Sequence, residues 1–239
     1  PIYVNGAMPG DVLQVKIEKI EIADQGVMCT GPHLGVLGEE ITEMKAKMIP
    51  IRDGKDLFDE LELPLNPMIG VIGVAPTGEG ISCGTPGSHG GNMDNAMIRE
   101  GATLYFPIFT EGALFALGDF HAAMGDGEVG VSGIEVPGKA TVRLDVLKDV
   151  PLAHPVLEDD EVWSTIVSAH TLDEAAKEAV KLMAKLIQKQ TGRDLADLAM
   201  LLSAAGNVEI CQIVDPLMTA RCVVTKDLMR QLKVEHLLV

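Results

Sequence analysis

The sequence predicts a predominantly β, α+β fold, and three observations carry that expectation. Period-two alternation and short apolar runs dominate residues 1–150, helical periodicity enters only after Pro151, and turn signals such as Pro137-Gly138 and Asp215-Pro216 separate the segments. Residues 1–150 therefore read as a β-rich core, and residues 151–239 as a mixed α/β portion packed on it.

Taken in order, residues 2–5 read as a short strand and 7–11 as a turn. Leu13, Val15 and Ile17 alternate with polar residues, the pattern of a half-buried strand. The phase slips between Lys19 and Ile20, so either Ile20 and Ile22 face the other way or a β-bulge intervenes near Glu18 and Lys19. Residues 68–75 form an apolar run between Pro67 and Pro76, fitting a strand buried on both faces. Further strands are expected at 102–110, 113–117 and 140–146. Thr171-Leu172-Asp173-Glu174 matches a capping box, and a helical period follows it to a stop at Gly192. A second helix is expected from Asp194 to Gly206, strands at 208–214 and 220–224, and a short helix from Lys226. Met44, Met48, Met183, Met200, Met218 and Met229 are expected to fill the core.

The formal charge of −16 argues against nucleic-acid partners, whose phosphates need a basic surface, and against attachment to anionic membranes. Hydrophobic residues make up 47% of the chain, yet no stretch of about 18 residues is free of charges and turn residues, so no transmembrane helix is expected. Cys29, Cys83, Cys211 and Cys222 lie far apart without a Cys-x-x-Cys pair, as for buried thiols in a reducing compartment. No leader is visible, so a cytoplasmic location is the expectation. The acidic run at 158–161 reads as a solvated loop.

The densest chemistry lies between Gly118 and Glu128, where Asp119, His121, Asp126 and Glu128 stand among Gly118, Gly125 and Gly127. Carboxylates and imidazole are ligands for hard or borderline cations and also the usual general acids and bases. In an extended segment Asp119 and His121 project to one face and Phe120 to the other, which suits a metal or an orienting Asp–His pair; a structural turn is the alternative. Glu135 stands between Ile134 and Val136 in apolar sequence, and a buried carboxylate must be paired, protonated or metal-bound. A hairpin turning near Gly125 would leave Glu135 opposite Phe115, away from His121. The loop at 84–95 is a second candidate: its glycines can expose N–H groups to an oxyanion, and His89 and Asp94 can serve as ligand or base. Cys83, between strand-like sequence and that loop, is a third, as a nucleophile.

These motifs together resemble the acetamidase/formamidase family, metal-associated hydrolases of short aliphatic amides. The resemblance starts at Pro1-Ile2-Tyr3-Val4-Asn5-Gly6-Ala7-Met8-Pro9-Gly10-Asp11 and continues through Gly90-Gly91-Asn92-Met93-Asp94, residues 101–108 and Glu111-Gly112-Ala113-Leu114. It is sharpest over residues 118–128 and at Ile134-Glu135. Family members usually carry a further β-rich segment before the Pro1-Ile2-Tyr3-Val4 equivalent, so this chain reads as cut into. Met124 stands where the family commonly has Gln, and a hydrogen-bonding role is not carried over to it.

The resemblance implies a β-sandwich or barrel-like core with a smaller C-terminal α/β portion, and a homodimer. It implies hydrolysis of formamide or acetamide at a divalent cation, zinc first and calcium second, held by Asp119, His121 and Glu135 with Asp94. Glu128 or Asp126 would be the base, and Asn92 or loop N–H groups would stabilise the oxyanion. The alternatives are a non-catalytic, metal-stabilised binding or scaffold protein and a Cys83-dependent amidase.

Overall fold

A computed structural model describes residues 1–238. In chain order its elements are β1 (Val12–Ile22), β2 (Gln25–Thr30), β3 (Lys45–Arg52), β4 (Lys55–Phe58), β5 (Leu61–Pro64), β6 (Met68–Gly73), β7 (Gly90–Asn92), β8 (Thr103–Pro107), β9 (Ala116–His121), β10 (Gly138–Leu147), β11 (Val156–Glu158), β12 (Val162–Ala169), α1 (Leu172–Thr191), α2 (Leu195–Ala205), β13 (Asn207–Gln212), β14 (Met218–Thr225) and α3 (Lys226–Gln231). The strands pair antiparallel in sheets of order β10-β1-β8-β11-β12-β14-β13, β2-β3-β4-β5 and β7-β6-β9. The fold is predominantly β in the α+β class.

The seven-stranded sheet divides the hydrophobic interior, because alternate side chains of a strand point to opposite faces. Val12, Tyr105, Val156, Trp163 and Val167 pack with Ala179, Met183 and Ile187 of α1 and with Leu198 of α2. Their neighbours Leu13, Leu104, Phe106, Leu157 and Ile166 face the other way, onto Ile69, Ile72 and Phe115. One sheet thus packs helices on one face and the β7-β6-β9 sheet on the other, the layering of a sandwich with helices added outside.

The α1 boundaries follow from local chemistry. The Thr171 hydroxyl accepts from the Glu174 N–H, and Gly192 ends the helix in the left-handed conformation while donating to the Gln188 carbonyl. Of the two alternatives for the phase slip in β1, the bulge is present, since the register against β10 shifts between Ile17 and Lys19. β6 is buried along nearly its whole length, as its unbroken apolar run requires.

Several expectations are corrected. Residues 2–5 make only an isolated bridge, Ile2 to Phe115. Ala113 and Leu114 take positive φ and form a turn, so the strand expected at 113–117 starts at Ala116 and runs on to His121. Met183 and Met229 are buried, but Met44, Met48 and Met200 are exposed. Cys211 and Cys222 are buried, whereas Cys29 and Cys83 are exposed. Within the acidic run at 158–161, Glu158 is half-buried and accepts from Tyr105 at 2.6 Å.

Asp56 in β4 is fully buried, and neither of its carboxylate oxygens has a hydrogen-bond partner. Burial pushes it up to about 6 from its ordinary value of 3.8. The folded state therefore holds this proton more tightly than the unfolded state, and the associated stability is lost as pH rises from about 4 through 6. Asp56→Asn is expected to raise Tm at pH 7 by about 2–4 °C, the shift about 1 kcal/mol gives at this size. It should change Tm little at pH 4; thermal melts at the two pH values check this.

Candidate active site

The β7-β6-β9 sheet brings the chemistry together. Asp94 follows β7, while Asp119 and His121 lie at the end of β9. β9 pairs with β6 as Ile69 to Phe120 and Val71 to Gly118, which leaves Gly70 across from Asp119. Gly70 is needed for space: a Cβ there would lie 2.5 Å from Asp119 Oδ2 and 2.5 Å from Asp94 Oδ1. Asp94, Asp119 and Glu128 all have left-handed backbones, with φ of 40°, 61° and 47°. Such conformations are uncommon outside glycine and gather where surrounding structure imposes them, often at functional sites.

Glu135 reaches the site by a fold-back three residues later than a turn at Gly125 would give. The chain reverses about Glu128, so Glu135 bridges His121 on one side and Val27 of β2 on the other. Ala122 N–H donates to the Ile134 carbonyl and Val136 N–H to that of Phe120, both in the same register. The His121 ring lies so close to Gly133 that a Cβ there would be 2.6 Å from Nδ1.

His121 Nε2 lies 3.2 Å from Glu135 Oε1, 3.6 Å from Asp119 Oδ2 and 3.9 Å from Asp94 Oδ1. Two groups result, Asp119–His121–Glu135 and Asp94–His121–Glu128, each with one donor atom per residue within 4.8 Å of the others. His121 is 1% exposed and Asp94 0%. Both ring nitrogens of His121 and both oxygens of Asp94 are buried without a properly directed hydrogen bond. Buried polar atoms are seldom left so, because desolvation without a partner costs about 1–3 kcal/mol each. Carboxylate oxygens and imidazole nitrogen facing one point fit a divalent cation, which satisfies these atoms and offsets the crowding of acids.

The electrostatics express that crowding. Burial pushes Asp94 up to about 9, with Glu128 adding repulsion and His121 opposing it. Burial also pushes Glu128 up to about 7, against the pull of His121 and with Asp215 and Glu135 adding repulsion. Burial alone would depress His121, but Asp119 and Glu135 carry it up to about 10. The same imidazole holds Asp119 below the usual carboxylate range.

The other expected residues fall in three places. Glu128 Oε1 accepts from the Gly133 N–H at 3.1 Å, so it is anchored but joins the cluster. Asp126 is held by Arg221, whose Nη1 and Nη2 donate to its two oxygens at 3.1 and 2.5 Å. Asn92 on β7 donates Nδ2 to Asp215 at 2.9 Å, and its Oδ1 is buried without a partner. Cys83 and the buried His89 line a separate cavity of about 200 Å³.

Sequence reasoning missed Asp215 and Arg221. Asp215 joins the acid cluster through Asn92, and burial raises it to about 6. Arg221, buried on β14, also donates to Glu209 and to Asn95 Oδ1, each at 2.7 Å. Asp215 reads locally as half of an Asp-Pro turn, so nothing beside it in sequence signals the site. A lone Arg within the apolar stretch of β14 was the one available hint, because a buried guanidinium requires acidic partners.

The profile of the Acetamidase/Formamidase family matches residues 77–231. A predicted acetamidase/formamidase from the thermophile Thermoanaerobacter tengcongensis superposes with a TM-score of 0.96 at 53% identity, covering 99% of this chain and 79% of that one. An acetamidase from Bacillus halodurans gives a TM-score of 0.94 at 46% identity, covering 98% of this chain and 80% of that one. A formamidase of Methylophilus methylotrophus is 30% identical over 110 residues, which are 42% of this chain but only 27% of that relative's length. Among the described residues, no helix is long and apolar enough to cross a membrane. With the family profile spanning more than half of its length, and the same motifs converging on one buried cluster, the chain belongs to the Acetamidase/Formamidase family.

Proposed function

We propose that the chain hydrolyses small aliphatic amides, formamide or acetamide, to ammonia and the carboxylic acid. The observation that carries this reading is the buried, unpartnered Asp94–His121 pair ringed by Asp119, Glu128 and Glu135. We take Asp119, His121 and Glu135, with Asp94, to hold a divalent cation. Zinc is the first choice because the donors mix imidazole with carboxylate, and calcium is second. When bound, such an ion polarises an amide carbonyl and lowers the pKa of a coordinated water.

The chain's own residues do the rest. Glu128 is the proposed base: with its proton affinity raised to about 7, it accepts a proton from the attacking water and delivers it to the leaving nitrogen. Water adds to the carbonyl carbon, the C–N bond breaks, and the nitrogen leaves as ammonia. Asp126 is the weaker choice, since Arg221 occupies both of its oxygens. Asn92 spends one amide hydrogen on Asp215 and keeps the other for the carbonyl oxygen as charge develops there.

The reading extends to a homodimer in the cytoplasm. The exposed Val36 and Val129, joined by a 2.8 Å backbone hydrogen bond beside the site loop, offer an apolar contact surface. Unpaired cysteines suit a reducing compartment.

Ammonia release from formamide, acetamide and propionamide, by the chain and by Cys83→Ala, tests the proposal. Release by both proteins is the expected result. Binding without release marks a non-catalytic member, and loss of activity in Cys83→Ala alone marks a thiol amidase.

A further inference from the structure

Arg221 is 5% exposed on β14, and its guanidinium reaches from the seven-stranded sheet to two separate segments of the site. Nη1 donates both to Asn95 Oδ1 at 2.7 Å and to Asp126 Oδ1 at 3.1 Å, while Nη2 donates to Asp126 Oδ2 at 2.5 Å. Nε donates to Glu209 Oε2 at 2.7 Å; Glu209 belongs to β13, the edge strand, so this arm stays within the sheet. One planar, permanently charged group thus ties the segment after β7 to the loop after β9 in a fixed relation.

Each tied residue stands beside an acid of the cluster. Asn95 follows Asp94, whose two oxygens have no hydrogen-bond partner, so only the backbone aims them. That backbone is left-handed, with φ of 40°, and is held before Asp94 by β7 and after it by the Asn95 side chain. Asp126 stands two residues before Glu128, with Gly125 and Gly127 on either side of it. Glycines let such a loop swing unless it is tied. Its other tie to the sheet is Gly127, whose N–H donates to the Cys211 carbonyl and whose carbonyl accepts from Ile213.

Resting on the amide-hydrolase reading, we infer that Arg221 is a positioning residue: through Asn95 and Asp126 it fixes Asp94 and Glu128 against His121 without touching substrate or metal. Lysine cannot replace it, because one ammonium does not span Asn95, both oxygens of Asp126 and Glu209 together.

The test measures zinc affinity of the metal-free chain by calorimetry, kcat and KM for acetamide with zinc bound, and a thermal melt. Wild type is compared with Arg221→Lys, Arg221→Ala and Glu209→Gln. Arg221→Lys keeps a positive charge between the two buried-facing acids, which favours its folding. In it zinc affinity and kcat each fall about 10–100-fold, the usual loss when a group that orients a metal ligand is removed, while KM holds steady. Arg221→Ala loses at least as much, and added guanidinium ion restores part of its kcat. Glu209→Gln lowers Tm but keeps zinc affinity and kcat at the wild-type level. Wild-type zinc affinity and kcat in either Arg221 variant overturn the positioning role. Equal losses in Glu209→Gln and Arg221→Lys overturn it as well, since the network then merely supports the sheet. No ammonia from wild type overturns the hydrolase reading, and the zinc affinities then decide the positioning role alone.

Discussion

His121→Ala is expected to abolish metal binding and to lower ammonia release from acetamide by about 10³-fold or more, the several kcal/mol a Lewis acid would contribute under the proposed function. The expectation follows from position. His121 is the one residue common to both carboxylate groups, so deleting its ring dismantles both together. The ring is buried against Gly133, and its Nε2 faces only Asp94, Asp119 and Glu135 of the same cluster, so little outside the site depends on it. Metal content by elemental analysis, kcat/KM and a thermal melt separate loss of the site from loss of the fold. Wild-type activity with unchanged metal content would remove His121 from the site.

Gly70→Ala disables the enzyme without touching an ionisable group. The added methyl would stand 2.5 Å from carboxylate oxygens of Asp119 and Asp94, well inside contact distance, and both must move. Asp94 has no room to do so, being fully buried, and both aspartates sit on left-handed backbone. Displacement of about 1 Å in a catalytic group costs on the order of 10²-fold, so a fall of at least that size in kcat/KM is expected, with weakened metal binding. The melt should stay cooperative, because β6 keeps its pairing to β7 and β9. Unchanged kinetics in the Gly70→Ala variant would mean that the two carboxylates need not approach each other.

Legibility of the fold tracked the strength of local pattern. β1, β6, β8 and β10 announce themselves by alternation or by unbroken apolar runs, and α1 by its cap, period and terminal glycine. β2 to β5 do not, because each has only one buried residue or none, and β4 and β5 are short as well: Leu61–Pro64 has three exposed residues in four. Stability there comes from pairing with neighbours, which leaves no periodic mark in the sequence. β12 escaped notice because it is buried along most of its length and does not alternate.

The site shows the same division. Asp119 and His121 are two apart on one strand, so their convergence could be read directly, although the left-handed backbone at Asp119 could not. Glu135 depends on where the chain reverses, and a three-residue displacement of the turn decides whether it meets His121 or Phe115. Glycines at 125, 127 and 130 make all these reversals plausible, so sequence alone cannot choose among them. Asp215 arrives from the turn between β13 and β14, and Arg221 from β14 itself, elements whose approach to the site depends on the whole sheet order.

Titration of metal-free chain with zinc, following ammonia release from acetamide, tests the central claim most directly. The Asp94–His121 cluster predicts activity that is absent without metal, rises with added zinc to a plateau, and disappears again with chelator. Full turnover by the metal-free chain, unchanged on adding zinc, would contradict it.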